Sequence, residues 1–237
     1  MSESGPEGGE RRGAGAAGPV NVVLVGLPGS GKGTQGAQFA RRHGIPKIST
    51  GDMLRDAVAR GTPLGREVAA TLDAGGLVPD DMIVRVVDAR LRGADTTAGF
   101  VLDGFPRTLP QAVALDGLLK GRGLPIVIYL DVSPDVILHR ILSRRICESC
   151  GQPDTGAPTT EYCASCGGGF VKRADDHEDV VRRRVAAYVE NTAPLIDWYR
   201  RGPAFRTVDG NQPLPDVARA FDAAVFECVK AGHSPFR

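Results

Sequence analysis

Residues 20–34, VNVVLVGLPGSGKGT, constrain this chain more than any other stretch. Val20 to Gly26 is a short, nearly continuous β-branched run, the pattern of a strand covered on both faces. A glycine-rich turn follows at once, and Lys32 to His43 then reads as a helix stopped by Gly44 and Pro46. The turn matches G-x-x-x-x-G-K from Gly26 to Lys32. Its glycines let backbone N–H groups turn inward around phosphate oxygens, and the helix N-terminus adds partial positive charge. A nucleoside triphosphate site on an α/β sheet is the reading these residues support. The position after the lysine commonly carries a hydroxyl that holds Mg²⁺. Here it is Gly33, with Thr34 next, so the Mg²⁺ that accompanies ATP is expected to rest mainly on phosphates and water. What happens to the phosphate is open at this point.

The alternation continues downstream. GFVLD (99–103) and IVIYLDV (126–132) are further buried-strand runs, and Phe205 to Asp209 is a last strand. Helical spacing marks Asp80 to Leu91, Pro134 to Arg145, Asp179 to about Tyr199, and Pro213 to Lys230. Strands separated by helices predict βαβ units, hence an α/β fold: a parallel sheet with helices on both faces. Two stretches interrupt the pattern. Residues 49–78 read as small helices on a glycine-rich frame, and residues 146–173 lack any helical period. Both are expected over the carboxyl edge of the sheet, where ligands bind in open α/β folds.

Residues 1–20 are rich in Gly, Ala and Glu, without the apolar centre of a secretory signal, and read as a disordered tail. Residues 21–237 then form one domain. A net charge of +1 offers no field to steer nucleic acid or an anionic membrane. No run approaches the roughly 18–20 apolar residues that span a bilayer. A soluble, cytoplasmic protein with neither nucleic-acid nor membrane partners is expected.

Two more segments narrow the chemistry. STGDMLR (49–55) sets a hydroxyl, an acid and an arginine together. LDGFPRT (102–108) ends a buried strand with Asp103 and supplies Arg107 on a Gly/Pro turn, with Gln111 four residues later. Singly, Arg55 and Arg107 read equally well as surface charges, and Gln111 as a helix-face residue. Together with GLPGSGKGT, the Ser143–Cys150 segment and RADDHEDVVRRR (173–184), they closely resemble the adenylate kinase family of nucleoside monophosphate kinases from residue 21 to about 227.

The resemblance implies a set of roles. Gly29, Ser30, Gly31, Lys32, Gly33 and Thr34 would hold the phosphates of ATP. Thr50, Arg55, Gly76, Leu77, Val78, Gly104, Phe105, Pro106, Arg107 and Gln111 would form the AMP pocket. In it the threonine and glutamine help read adenine and the two arginines grip the monophosphate. Arg140 would stack near the ATP base, and Gln212 is counted among the nucleotide-binding positions. Arg144, Arg173 and Arg184 would join Lys32 and Arg107 around the phosphoryl group in transit, with Asp103 and Asp52 ordering Mg²⁺-bound water. Phosphoryl transfer spreads charge over equatorial oxygens, and converging cations suit it. Arg182 and Arg183 read instead as a solvated basic face.

Inserts 49–78 and 143–176 would close over AMP and ATP respectively and exclude water. A monomer is expected, since closing lids need free surfaces. The implied reaction is MgATP + AMP ⇌ 2 ADP, serving adenine nucleotide homeostasis and AMP salvage. A relative acting on UMP, CMP or GMP is the alternative, and Thr50 and Gln111 favour AMP. A non-enzymatic zinc-ribbon module is a third reading, and the balanced charge counts against it.

Four of the five cysteines lie in CESCGQPDTGAPTTEYCASC (147–166), inside the second insert. Cys147, Cys150, Cys163 and Cys166 form two C-x-x-C pairs, each followed by glycine. A cytosolic enzyme is a poor setting for disulfides, and two pairs on glycine turns do not suit a thioredoxin-type site. Two metal knuckles are expected, with tetrahedral structural Zn²⁺ as the occupant and an empty or iron-occupied site as the alternative. Cys228 reads as a buried core thiol.

Overall fold

The pairing of the strands decides where the loops between them gather. The structure, a computed structural model, describes residues 18–154, 161–173 and 175–231. In chain order, β1 (Val20–Val25) leads into α1 (Lys32–His43), and β2 (Lys47–Ser49) runs directly into α2 (Thr50–Ala59) and α3 (Pro63–Asp73). Next come α4 (Asp80–Leu91), β3 (Gly99–Asp103), α5 (Leu109–Leu118), β4 (Ile126–Asp131) and α6 (Pro134–Leu142). Short strands β5 (Ile146–Cys147) and β6 (Phe170–Val171) bracket the cysteine segment. The chain finishes with α7 (Glu178–Ala187), α8 (Pro194–Arg200), β7 (Phe205–Asp209) and α9 (Leu214–Lys230).

Five strands form one parallel sheet in the order β2-β3-β1-β4-β7, with β1 at its centre. Register levels the strand ends: Leu24 and Ser49 both stand opposite Asp103. The glycine turn after β1, Thr50 after β2 and Gly104 after β3 therefore share one edge. Period-two alternation divides β1 between two cores. Val22 and Leu24 pack with Phe39 of α1 and Phe221 and Val225 of α9, while Val23 and Val25 join Val87 of α4 and Leu115 of α5. Each such side chain removed from water contributes about 1.5–3 kcal/mol, and this explains a strand apolar on both faces. Cys228 lies fully buried in the first core.

Three expectations shift in detail. The helix expected through Arg145 ends at Leu142, where the Ser143 hydroxyl turns back to donate to the His139 carbonyl at 2.8 Å and the chain enters β5. The helix expected from Asp179 to Tyr199 is interrupted by a widened π-type segment, Tyr188–Thr192, closed by Ala193 N–H to Tyr188 C=O at 2.8 Å. Pro194 is the reason, since it brings no N–H to continue the ladder. The tail expected over residues 1–20 lies outside the described residues as far as residue 17, and Val20 already begins β1. Among the described residues, no helix is long and apolar enough to cross a membrane.

Candidate active site

At the carboxyl edge of the sheet the loops enclose a cleft of about 640 Å³. The glycine turn forms its floor. Lys32, the first residue of α1, donates from Nζ to the carbonyls of Gly26 (2.6 Å) and Leu27 (2.8 Å) and to Ser30 Oγ (3.3 Å). Burial pulls the Lys32 ammonium down to about 8; Asp103 opposes this, and the nearby Arg107, Arg184 and Arg144 add to it. Cations from three separate segments thus face one lysine.

Asp103 ends β3 beside the turn. A Cβ built on Gly33 would stand 3.5 Å from its Oδ2, so the carboxylate faces the position where the general motif carries a hydroxyl. Lys47 Nζ lies 3.6 Å from Asp103 and 3.5 Å from Asp52. Burial favours the neutral Asp52 carboxyl, but Arg55 and Lys47 outweigh it and hold the group at about 2. Carboxylate oxygens beside a phosphate cradle fit Mg²⁺, which prefers hard oxygen ligands and retained water.

A smaller cavity of about 60 Å³ adjoins the cleft. Thr50, Arg55, Gly76, Leu77, Val78, Gly104, Arg107 and Gln111 all line it, so the structure gathers nearly the whole expected AMP set. Phe105 does not line it: the ring is fully buried in the second core beneath, next to the cis Phe105–Pro106 peptide, and Pro106 faces the larger cleft. Thr50 donates from Oγ1 to the Gly104 carbonyl at 2.8 Å, joining the ends of β2 and β3. Arg107 donates from Nε to the same carbonyl, also at 2.8 Å. Thr192, in the widened segment, donates from Oγ1 to the Arg107 carbonyl at 2.9 Å. Arg55, Arg107 and Arg184 line both cavities and so stand at their junction.

The remaining arginines are held by two acids that motif spacing alone does not single out. Arg144 meets Asp176 through two hydrogen bonds, from Nη2 to Oδ1 and from Nε to Oδ2, the latter at 2.7 Å. Arg184 Nη1 lies 3.1 Å from Asp175 and 3.2 Å from Asp176. Arg55, on the first insert, lies 3.6 Å from the same Asp175, so the two inserts meet there. Arg173 Nε pairs with Asp175 Oδ1 at 3.2 Å without a hydrogen bond's alignment, and its Nε and Nη2 are buried with no hydrogen-bond partner. Burial, then Arg55 and Arg144, bring its guanidinium down to about 10. Unpartnered buried donors fit an oxyanion.

Arg140 and Gln212 both line the cleft, and Gln212 Nε2 donates to Asp209 Oδ2 at 3.2 Å. Arg182 pairs with Glu178 on its own helix, as a solvated face requires. Arg183, also exposed, does more than expected: its Nε donates to the Ala74 carbonyl at 2.8 Å, tying α7 to the end of α3.

The four cysteines of the second insert converge. Their sulfurs all lie within 4.8 Å of one another, with Cys147–Cys166 at 3.4 Å and Cys150–Cys163 at 3.7 Å. A tetrahedral ion with Zn–S bonds of about 2.3 Å needs sulfurs roughly 3.8 Å apart, so the donor set fits zinc. The two halves repeat one design. In the first, Gly151 N–H donates to Cys147 C=O at 2.9 Å and Cys147 N–H to Gln152 C=O at 2.8 Å. In the second, Gly167 to Cys163 and Cys163 to Gly168 are both 2.8 Å. The glycines sit at φ 71° and 74°, a left-handed turn that suits glycine. Burial pushes the Cys147 thiol up, but the N–H groups of Cys150 and Ser149 and the Cys166 sulfur outweigh it, bringing it to about 7.

Comparison with known proteins places this geometry in context. A family model described as adenylate kinase matches residues 24–203. A curated protein named adenylate kinase from Kosmotoga olearia is 46% identical over 204 residues, covering 84% of this chain and 95% of the relative. Proteins of the same name from Syntrophotalea carbinolica and Archaeoglobus fulgidus are 45% and 43% identical, covering 87% and 90% of this chain and 98% and 100% of the relatives.

Proposed function

The chain belongs to the adenylate kinase family, and on that premise we propose how its site works. It is a phosphotransferase that moves a phosphoryl group reversibly between ATP and AMP, giving two ADP. One observation carries the assignment of roles: two cavities adjoin, and Arg55, Arg107 and Arg184 stand where they meet. ATP lies along Gly29 to Thr34 with its base toward Arg140 and Gln212. AMP occupies the smaller cavity, its base near Thr50 and Gln111 and its phosphate between Arg55 and Arg107. The two phosphate chains then face each other at the junction.

Lys32 exchanges the carbonyls of Gly26 and Leu27 for phosphate oxygens. Arg144, Arg173 and Arg184 surround the phosphoryl group, and the two unpartnered N–H groups of Arg173 supply donors to its equatorial oxygens. Planar guanidinium forks grip such oxygens bidentately, and fixed donors need no reorganisation as charge develops. Asp103, backed by Asp52 and Lys47, would hold Mg²⁺ through its waters, and the ion supplies charge neutralisation between the phosphates when bound. Residues 49–78 and 143–176 act as lids that keep water from the γ-phosphate. Cys147, Cys150, Cys163 and Cys166 would hold a structural zinc ion; with four sulfur ligands the site leaves no position for substrate. We assign the protein to the cytoplasm, as a monomer serving adenine nucleotide balance and AMP salvage.

The test is ADP formation by the purified protein from ATP, Mg²⁺ and each of four nucleoside monophosphates, alongside elemental analysis for zinc. AMP is the expected acceptor, and Lys32→Ala should lower kcat/KM by about 10²–10³-fold. A pyrimidine preference, or full activity in Lys32→Ala, would overturn the reading.

A further inference from the structure

Gln111 is only 2% exposed, and both ends of its amide are engaged. Its Oε1 accepts from the Arg107 backbone N–H at 2.7 Å, and its Nε2 donates to Asp80 Oδ1 at 2.7 Å. The other Asp80 oxygen accepts from Thr108 Oγ1 at 2.9 Å. Thr108 is the N-cap of α5, its Oγ1 in turn accepting from Gln111 N–H at 3.3 Å. One carboxylate at the start of α4 thus holds both the cap of α5 and the side chain one turn into it.

Chemistry alone fixes which way the amide faces. An ionised carboxylate only accepts and a backbone N–H only donates. Turning the amide over would set oxygen against carboxylate and NH₂ against N–H, losing both bonds at once. The orientation is therefore imposed by Asp80 and Arg107. It leaves Gln111 one N–H and one carbonyl lone pair, a donor–acceptor edge. Adenine presents the complementary edge, a ring-nitrogen acceptor beside its amino donor. A base with a carbonyl at that place offers acceptor against acceptor.

We infer that Asp80 is a positioning residue for acceptor choice, acting through Gln111 without touching the nucleotide. The inference rests on the proposed reading of Gln111 as a contact to the AMP base. It separates from the general role of a helix-start acid, which would affect all substrates alike.

Steady-state kinetics of Asp80→Asn and Asp80→Ala, beside Gln111→Leu, test it, with ATP and each monophosphate varied and melting temperatures recorded. Asp80→Asn keeps the side-chain volume and an oxygen that can still accept from Gln111 Nε2, but it loses the second acceptor that holds Thr108 Oγ1; Asp80→Ala leaves Nε2 without its anchor altogether, with only the Arg107 N–H still holding Oε1. The expected result is a KM for AMP raised about tenfold in Asp80→Ala and by a smaller factor in Asp80→Asn, with KM for ATP and kcat near wild type. Preference for AMP over GMP should narrow by a similar factor. If Gln111→Leu leaves the AMP KM unchanged, the reading of Gln111 fails. If Gln111→Leu raises it and neither Asp80 variant does, the role of Asp80 fails. Equal losses for ATP and AMP, or failure of both variants to fold, would make Asp80 a structural residue and overturn the assignment.

Discussion

The two inserts flanking the cleft are of similar size and are held together by different means. In residues 49–78 the stabilising elements are apolar. Leu54, Val68 and Val78 are buried in the second core, and Ala57 is buried as well. Ser49 caps α2 and Thr62 caps α3. A Cβ on Gly65 would fall 2.0 Å from the Ala57 carbonyl, so the two helices touch backbone to backbone. In residues 143–176, Cys147 and Cys163 are the only buried residues of the apolar class among those described. The first insert shares the protein's core, and the second has almost none of its own. On the proposed reading, a metal bound by four thiolates would replace burial where burial is not available.

The largest way to break this contrast is Cys163→Ser. Structural zinc sites of this kind carry an apparent binding free energy of about 10–16 kcal/mol at neutral pH, which is folding free energy for the segment they hold. Zinc content should fall and limited proteolysis should cut within 143–176, while residues outside it stay protected. Unchanged protection of the lid would mean that other contacts hold it. A smaller effect is expected from Leu54→Ala, which should cost about 2–4 kcal/mol. Because that side chain belongs to the shared core, melting should remain one transition at a lower temperature. A separate early transition confined to 49–78 would show that this insert, too, stands alone.

Acid titration sharpens the comparison with the smallest shift. Asp52 is held at about 2. Its folded value is below its ordinary one, so its contribution is complete above about pH 4 and lost as the pH falls toward 2. Thiolate ligands take up protons and release metal earlier in the titration. Zinc release should therefore precede loosening around Asp52, followed by a metal-sensitive dye and by amide exchange of α2. Coincident transitions would tie the two inserts into one unit.

The features legible in sequence are those with short-range causes. The run from Val20 to Gly26 needed only its apolar continuity, and α4 only its spacing. Two elements outside the inserts were not legible. Three-residue β2 is too short for any period. In α5 apolar residues point to both sides, with Val113 58% exposed and Leu115 fully buried, so no amphipathic stripe marks it. The site divides the same way. Motif residues announce themselves by spacing, and most of the expected AMP set lines one cavity. Asp80, Lys47, Asp175 and Asp176 work by reaching across from other elements, and their partners lie up to 120 positions away. Pro194 did carry a local signal for the break at Tyr188–Thr192, and the strong helical spacing on either side masked it.

The two knuckles close themselves. Each completes its turn with hydrogen bonds inside six consecutive residues, 147–152 and 163–168, and antiparallel bridges Ile146–Pro153 and Tyr162–Gly169 zip the stems outside them. Ligand geometry is therefore written twice in miniature and owes little to the chain that joins the copies. A graft of foreign sequence between the stems should therefore leave the four-cysteine cluster standing.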